Sequence, residues 1–263
     1  MRSPRGWLVF GVVTVVVVAA AGVSATLNGA SSGTRNNRGQ AGEWRDYAGD
    51  SYGLKYSPLA QINEKNVGDL QIAWRWTTAD HEVQLSNAQL RASRYQDTPL
   101  MVNGALYTVT PLGMVAALDP GTGEQKWLYD PRSYDEPTPH SVGWTVRGLA
   151  YWSDGARERI LHSTTDAYLI SIDAKTGRPD PAFGRDGKID LMEGIPHNPI
   201  RSVNFAGRRA LVAGDIVVVG SHIKLATPGK EEETPPGYVK AFDVHSGKLL
   251  WTQQLWTDHH GSR

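Results

Sequence analysis

The sequence predicts an all-β protein built from repeated, radially packed sheets, and three observations support this prediction. An eleven-residue pattern from Ala117 to Trp127 recurs from Ala241 to Trp251, and a partial copy runs from Ser171 to Gly177. The 28 glycines and 15 prolines, together with many Val, Tyr and Trp residues, favour strands and turns. Few long segments show the 3.6-residue apolar period of a helix. Three copies of one pattern indicate a repeat protein.

Each copy of the pattern predicts a β-hairpin. An apolar strand ends at an aspartate, whose carboxylate accepts backbone N–H bonds, and a glycine with positive φ completes the turn. We expect the tryptophan ring to pack on the adjacent repeat, where a small alanine leaves room. Unrelated hairpins with common turn chemistry are the alternative, but turns alone do not account for the Ala and Trp positions. The shared positions are Ala117, Asp119, Gly123 and Trp127, then Asp173 and Gly177, then Ala241, Asp243, Gly247 and Trp251.

The repeats also predict individual strands. In the first repeat, turns at Asn103-Gly104 and Pro111 to Gly113 separate consecutive short strands, which together make one four-stranded blade. The repeats are longer than the roughly 40 to 45 residues of the commonest propeller repeat, so we expect inserted loops. The predicted strands are Leu100–Val102, Ala105–Thr110, Met114–Asp119 and Lys126–Tyr129; Arg159–Ser163 and Tyr168–Asp173; and Ala210–Val212, Ile216–Gly220 and Tyr238–Asp243.

The start of the chain predicts export. Arg2 and Arg5 precede an uncharged apolar run from Trp7 to Val23, and small residues follow that would permit cleavage after Ala25. The run is close to the lower limit for crossing a bilayer, so an uncleaved membrane anchor is the alternative. Both interpretations place the remainder in the periplasm or anchored facing it. Residues 26–42 have the Gly, Ser, Asn and Arg composition of a flexible linker, and the folded part is expected over residues 43–252.

Charge and cysteine content exclude several classes of function. The 27 basic and 27 acidic residues balance, so the chain lacks the electrostatic footprint of a nucleic-acid-binding protein. The sequence contains no cysteine, which excludes disulfides, thiolate metal sites and a cysteine nucleophile.

The Ala/Asp/Thr-Gly/Trp pattern resembles the tryptophan-docking motif of quinoproteins, the dehydrogenases that use pyrroloquinoline quinone (PQQ) in an eight-bladed β-propeller. The segment from Tyr52 to Leu59, ahead of a strand with Trp74 and Trp76, is similar to the opening of that family. The resemblance runs from Trp44 to Trp251, and residues 253–263 form a tail that does not match. It implies an incomplete propeller arc of about three to four blades after an N-terminal hydrophobic helix. The lack of cysteine favours the sugar and polyol branch of the family.

The resemblance also implies a set of PQQ-binding residues. The segment Gly143–Trp152 predicts an aromatic and aliphatic strand with Arg147 inside it, where an unpaired guanidinium would be costly and requires an anion. A structural carboxylate would satisfy it, but the resemblance favours a carboxylate of PQQ. Gln96 matches a polar residue that contacts PQQ before the first blade. Leu112 takes the place of a histidine under the PQQ ring, and Ser202 is a candidate replacement for a missing Ser/Thr-Pro-Pro string.

Metal and catalytic residues are less complete. Quinoproteins hold Ca²⁺ beside PQQ, and Glu232, in the run Glu231–Glu233, is a candidate ligand by resemblance. A solvated charged loop is the alternative for this run. The aspartate that acts as the catalytic base in the family has no match, and we expect it beyond Arg263.

The resemblance implies an exported dehydrogenase that oxidises a sugar or alcohol C–OH with PQQ as hydride acceptor. Electrons would pass to a membrane quinone or a cytochrome, and the N-terminal segment could associate with the membrane. The alternative is a non-catalytic PQQ-repeat propeller that serves as a scaffold in the cell envelope. The docking pattern marks three repeats, and Trp44 to Trp251 supplies about half of the residues that an eight-bladed propeller needs. We therefore expect a truncated or frame-shifted part of a longer protein that does not turn over substrate by itself.

Overall fold

The structure is a computed structural model that describes residues 42–50, 53–90, 95–135, 144, 146–195, 209–221 and 237–255. Within these ranges, twelve strands form three four-stranded antiparallel sheets, and each sheet follows the chain in simple up-and-down order. The helical elements are short: α1 (Asp80–Ser86) and two 3₁₀ turns at Val67–Asp69 and Ser133–Asp135. The prediction of an all-β, propeller-type repeat protein is therefore confirmed.

Each sheet corresponds to one predicted repeat. In the first sheet, the predicted strands are confirmed with their ends shifted by about one residue. The predicted N-terminal helix lies outside the described residues. The strands are β1 (Leu100–Val102), β2 (Ala105–Val109), β3 (Val115–Leu118) and β4 (Gln125–Tyr129); β5 (Ala150–Ser153), β6 (Glu158–Ser163), β7 (Tyr168–Asp173) and β8 (Lys188–Asp190); and β9 (Leu211–Ala213), β10 (Ile216–Gly220), β11 (Tyr238–Asp243) and β12 (Leu249–Gln254).

The repeated hairpin turns connect the third and fourth strands of each sheet. In the first turn the Asp119 carboxylate accepts hydrogen bonds from the backbone N–H of Gly121 (2.9 Å) and Thr122 (3.0 Å). Asp173 and Asp243 accept equivalent bonds in the other two turns. Gly123, Gly177 and Gly247 have φ of 74°, 72° and 73°. A left-handed backbone at this point is costly for other residues, which explains the glycine in every copy. The shared positions of Asp and Gly thus follow from a single turn geometry.

Tryptophan rings pack against two of these glycines, and one of the rings joins the first sheet to the second. The Trp127 ring, from the last strand of the first sheet, lies against Gly177 of the second sheet, and its indole N–H donates to the Ala174 carbonyl at 2.9 Å. Trp74 lies against Gly123 in the same way and donates to the Pro120 carbonyl at 3.0 Å. Any side chain on Gly177 would overlap the indole, since a Cβ there would be 2.6 Å from Trp127 Cδ2. The glycine therefore permits both the turn and the ring contact.

The contact between the second and third sheets uses an aliphatic side chain instead. The second repeat has Pro181 where the tryptophan would stand, and Gly247 of the third turn packs against Ile189 of β8. A Cβ on Gly247 would lie 2.9 Å from Ile189 Cδ1 and 2.9 Å from the Gly184 nitrogen. On the outermost strand of the third sheet, Trp251 is 45% exposed. The glycine of the third turn is therefore the docking position, as in the other two turns, but it meets an isoleucine side chain instead of a tryptophan ring.

Two apolar layers fill the space between the sheets. One lies between the first and second sheets around Val109, Leu149 and Ile172, and the other lies between the second and third sheets around Leu169, Phe183 and Phe242. Burial of such side chains contributes roughly 1.5 to 3 kcal/mol each. Within the described ranges, the structure contains no helix with the length and apolar character that a membrane crossing requires.

One buried charge also crosses between the second and third sheets. Arg159 of β6 is 2% exposed, and its guanidinium donates to the carbonyl of His245 at 3.1 Å and to the carbonyl of Val244. It also forms an ion pair with Asp180. A buried guanidinium requires such partners, so these contacts fix the position of the third hairpin turn against the second sheet.

Candidate functional site

The segments ahead of the first strands of the three sheets meet at a common cleft. Gln96, Arg147 and Arg209 each lie a few residues ahead of the first strand of a sheet, namely β1, β5 and β9. Together with Tyr47, Gly220 and Ser221, they line a cleft of about 760 Å³. This volume falls in the usual range of small-molecule sites. The structure thus brings together two of the residues that the sequence predicted, Gln96 and Arg147.

Arg147 projects from a segment that is otherwise buried. Val146, Gly148, Leu149 and Ala150 are all buried, whereas Arg147 is exposed to the cleft. The predicted strand through Arg147 is wrong, because β5 begins at Ala150. The argument from the cost of burying its guanidinium therefore does not apply. Among the described residues, no carboxylate forms an ion pair with Arg147, which leaves its charge directed toward the cleft.

Arg209 is the second arginine of the cleft. Its Nη1 lies 2.7 Å from Asp46 Oδ1, and its guanidinium carbon is 5.3 Å from the centre of the Tyr47 ring. Asp46 and Tyr47 belong to the segment before the first sheet, which runs antiparallel to β1 through the Trp44–Met101 bridge. An ion pair and a cation–π contact together fix the orientation of the guanidinium.

Gly148 lets the cleft residues approach one another. Its φ is 115°, and a Cβ at this position would lie 3.2 Å from Asp97 Oδ1 and 3.7 Å from Arg209 Cδ. A larger residue would push apart the segments that carry Gln96, Arg147 and Arg209. Gly148 therefore lets the segments that carry Gln96, Arg147 and Arg209 lie side by side. We call these three residues and their segments the wall of the cleft.

Asp97 lies behind this wall. Its Oδ2 accepts a hydrogen bond from the Thr108 hydroxyl at 2.6 Å and from the Val109 N–H at 3.1 Å, while its Oδ1 is buried without a hydrogen-bond partner among the described residues. Burial raises the pKa of Asp97 to about 6, more than these hydrogen bonds lower it. Asp97 thus ties the Gln96 segment to β2.

A second buried titratable group lies in the second sheet. His162 of β6 is fully buried, and burial lowers its pKa to about 4. Its Nε2 lies 3.7 Å from the position that a Cβ of Gly113 would occupy, so the ring packs beneath the turn between β2 and β3. His162 is neutral at physiological pH and does not line the cleft.

Leu112 does not line the cleft in the structure. It is 0% exposed and packs in an apolar cluster with Leu90 and Trp144. Its role under the PQQ ring stays a prediction, as do those of Ser202 and Glu232, which lie outside the described residues. Within the part of the chain that the structure describes, no group of three His, Cys, Asp or Glu side chains could hold a metal ion.

Arg209 and Tyr47 were not among the site residues predicted from the sequence. A usable signal was present, because Arg209 stands ahead of the first strand of its sheet as Gln96 and Arg147 do. Tyr47 carried no such signal, since its place in the cleft depends on the path of the segment before the first sheet.

The chain is similar to known proteins over most of its length. The family described as glucose/ethanol/alcohol dehydrogenase, β-propeller domain, with PQQ, matches residues 44–262. Quinoprotein glucose dehydrogenase A of Acinetobacter calcoaceticus is 28% identical over 227 residues, which cover 80% of this chain and 27% of that protein. The dehydrogenase subunit of the quinone alcohol dehydrogenase of Gluconobacter oxydans is 34% identical over 218 residues, covering 82% and 25%.

The fold has solved counterparts as well. Quinohemoprotein alcohol dehydrogenase from Comamonas testosteroni superposes with a TM-score of 0.61 at 26% identity, over 84% of this chain and 28% of that one. A quinohemoprotein alcohol dehydrogenase from Pseudomonas putida gives the same TM-score of 0.61 at 27% identity. The chain therefore spans about a quarter of the length of the relatives that it matches.

Proposed function

Because the chain belongs to the PQQ-dependent glucose/ethanol/alcohol dehydrogenase β-propeller family, we propose that it forms the PQQ-binding wall of an exported dehydrogenase that oxidises a sugar or alcohol C–OH. The observation that carries this proposal is the cleft that contains both Arg147 and Gln96. These two residues lie 51 positions apart in the sequence, and both line this cleft.

The cleft has the chemistry that the cofactor requires at its acidic side. PQQ carries three carboxylates, and a guanidinium is well suited to bind a carboxylate through two parallel hydrogen bonds. Among the lining residues that the structure describes, two are arginines and none is acidic. The cleft volume of about 760 Å³ also accommodates a tricyclic ligand. The residues that are present therefore fit PQQ at its carboxylate groups.

Two lining residues, Arg147 and Gln96, and the neighbouring Gly148 have distinct roles in this proposal. When bound, PQQ supplies a quinone that accepts a hydride from the substrate carbon. Arg147 binds a carboxylate and neutralises its charge, and Gln96 donates an amide hydrogen bond from the adjacent segment. Gly148 keeps space between the loops so that the arginine can reach the ligand. The contribution of this chain is thus to bind and orient the cofactor.

The metal site is a different case. The described residues contain no group of three His, Cys, Asp or Glu side chains that could hold Ca²⁺, and Glu232 remains a candidate outside them, so we assign no step to the metal. Export, and transfer of electrons to a membrane quinone or a cytochrome, are further parts of the proposal. The motivation for export is the charged start and apolar run at the N-terminus. A reporter enzyme fused after Ala25 should be active outside the cytoplasm, and activity confined to the cytoplasm would contradict export.

A binding experiment tests the central proposal. PQQ binding to the purified chain would be measured by equilibrium dialysis for the wild type, Arg147→Ala and Arg157→Ala. Arg157 is the matched control, because it is 53% exposed, pairs with Asp154 and lies away from the cleft. We expect Arg147→Ala to weaken binding about tenfold or more, as loss of a charge-assisted hydrogen bond does. Equal affinities for the two variants, or no binding by the wild type, would refute the proposal and favour a non-catalytic scaffold.

A further inference from the structure

We propose that Arg209 is a second carboxylate-binding arginine, which makes the cleft specific for ligands that carry at least two carboxylates. The proposal rests on the proposed function only for the identity of the natural ligand as PQQ. The polycarboxylate specificity itself is argued from the charges and contacts of the cleft.

Arg209 faces the same cleft as Arg147. It is one of two cationic side chains among the described lining residues, and 22% of its side chain is exposed. Its Cδ lies 3.7 Å from the position of a Cβ on Gly148, the residue that follows Arg147. Arg209 thus enters the cleft beside the Arg147 segment. Two guanidinium groups directed into one cleft repel each other, and an anion with two carboxylates relieves this repulsion.

Among the described residues, Asp46 and Tyr47 orient Arg209, and Asp46 engages only one of its donor groups. A guanidinium has five N–H donors, and the ion pair with Asp46 engages Nη1. The Tyr47 ring covers one face of the guanidinium at 5.3 Å. A side chain held on two sides loses little conformational freedom when a ligand binds, which increases affinity. Asp46 and Tyr47 are therefore positioning residues for Arg209.

The pairing with Asp46 alone does not explain the position of Arg209. A purely structural ion pair between the first segment and the third sheet could form anywhere along their contact. Arg209 instead stands ahead of β9 as Gln96 stands ahead of β1 and Arg147 ahead of β5. All three side chains line the cleft. This shared placement indicates that the third sheet also contributes a ligand-binding group.

Redox-inactive probes test the inference separately from PQQ. Benzene-1,2,4-tricarboxylate would be titrated against benzoate, which carries one carboxylate, by calorimetry with the wild-type chain. We expect the tricarboxylate to bind at least about tenfold more tightly than benzoate, because each additional charge-assisted hydrogen bond adds about this factor. Equal affinities for the two probes would overturn the inference.

Variants of Arg209 and Asp46 test whether Arg209 binds the second carboxylate. Arg209→Gln should weaken tricarboxylate binding about tenfold and leave benzoate binding within about twofold, since Arg147 still binds one carboxylate. The double variant Asp46→Asn with Arg209→Gln removes the ion pair without leaving an unpaired carboxylate, and it should bind the probe as Arg209→Gln does. Arg209→Lys, which keeps the charge but not the planar fork, should be intermediate.

Separate controls test whether the variants are folded and whether the proposed function holds. Near-UV circular dichroism and the thermal midpoint would show which variants keep the native fold, and the double variant serves if Arg209→Gln unfolds. Tricarboxylate binding that is unchanged in a folded Arg209 variant would overturn the inference. Tricarboxylate binding by the wild type without PQQ binding would refute the proposed function and leave the role of Arg209 intact.

Discussion

Replacing Gly177 by alanine should disrupt the contact between the first and second sheets. Gly177 has φ of 72°, and a Cβ there would lie 2.6 Å from Cδ2 and 2.8 Å from Cε3 of Trp127. These atoms belong to a rigid ring whose N–H is bonded to the Ala174 carbonyl. The left-handed backbone costs about 1 kcal/mol for alanine, and displacing the ring adds about 1 to 3 kcal/mol. We expect a loss of about 2 to 4 kcal/mol in the free energy of unfolding.

The chain provides a closely matched control for the backbone contribution. Gly104 has nearly the same φ, 74°, but a Cβ there would meet no atom within 4 Å. Gly104→Ala should therefore lose only about 1 kcal/mol, the backbone contribution. The difference between the two variants isolates the overlap with Trp127.

A double-mutant cycle assigns this difference to the ring. Trp127→Ala by itself should cost about 3 to 5 kcal/mol through lost packing. Once the ring is absent, Gly177→Ala should cost no more than Gly104→Ala does, so the two changes should not be additive. Urea unfolding followed by tryptophan fluorescence and circular dichroism would measure each variant. Equal costs of Gly177→Ala and Gly104→Ala in the wild-type background would refute the proposed overlap.

Three further predictions concern buried ionisable side chains. Burial raises the pKa of Asp97 from 3.8 to about 6. The stabilisation from its neutral form is therefore fully present below pH 4, and about 3 kcal/mol of the free energy of unfolding is lost as pH rises through 6. Asp97→Asn should remove this pH dependence, as measured by urea unfolding. Because burial lowers the pKa of His162 from 6.5 to about 4, its contribution is present above pH 6.5 and about 3 kcal/mol is lost as pH falls toward 4. The two slopes oppose each other, so His162→Gln should make stability fall with rising pH, and an unchanged profile would contradict the assignment. Arg159→Met, measured by the same assay, should cost about 3 to 5 kcal/mol because Asp180 loses its partner, whereas exposed Arg157→Met should cost less than about 1 kcal/mol.

The fold could be predicted from the sequence where turn chemistry is local. The first sheet has its turns marked by Asn103-Gly104 and by Asp119 with Gly123, and its strands follow directly. The fourth strand of the second sheet has no such signal. β8 comprises only Lys188–Asp190, after a segment in which Asp186 and Gly187 both have positive φ. Its position depends on the Ile189 contact with the third turn, which is a tertiary interaction.

The cleft could be predicted only in part, for a similar reason. Arg147 and Gln96 were found because they occur in recognisable strings, although the burial argument for Arg147 was wrong. Arg209 belongs to the cleft only because the fold brings together the segments ahead of the first strands of the three sheets. No local pattern specifies that loops separated by dozens of residues share one surface.

The charge of the cleft differs from the charge of the chain, and this difference bears on the choice of ligand. The whole sequence is neutral, which argues against a long polyanion that would cover a broad surface. In the described part of the chain, the lining of the cleft nevertheless contains Arg147 and Arg209 and no acid. Asp46 lies beside Arg209 and Asp97 lies behind the wall, where its raised pKa makes part of the population neutral at mildly acidic pH. The local field therefore favours a small ligand with several carboxylates over an extended one. The same arrangement predicts that added salt weakens tricarboxylate binding more than benzoate binding, because two charge pairs are screened instead of one.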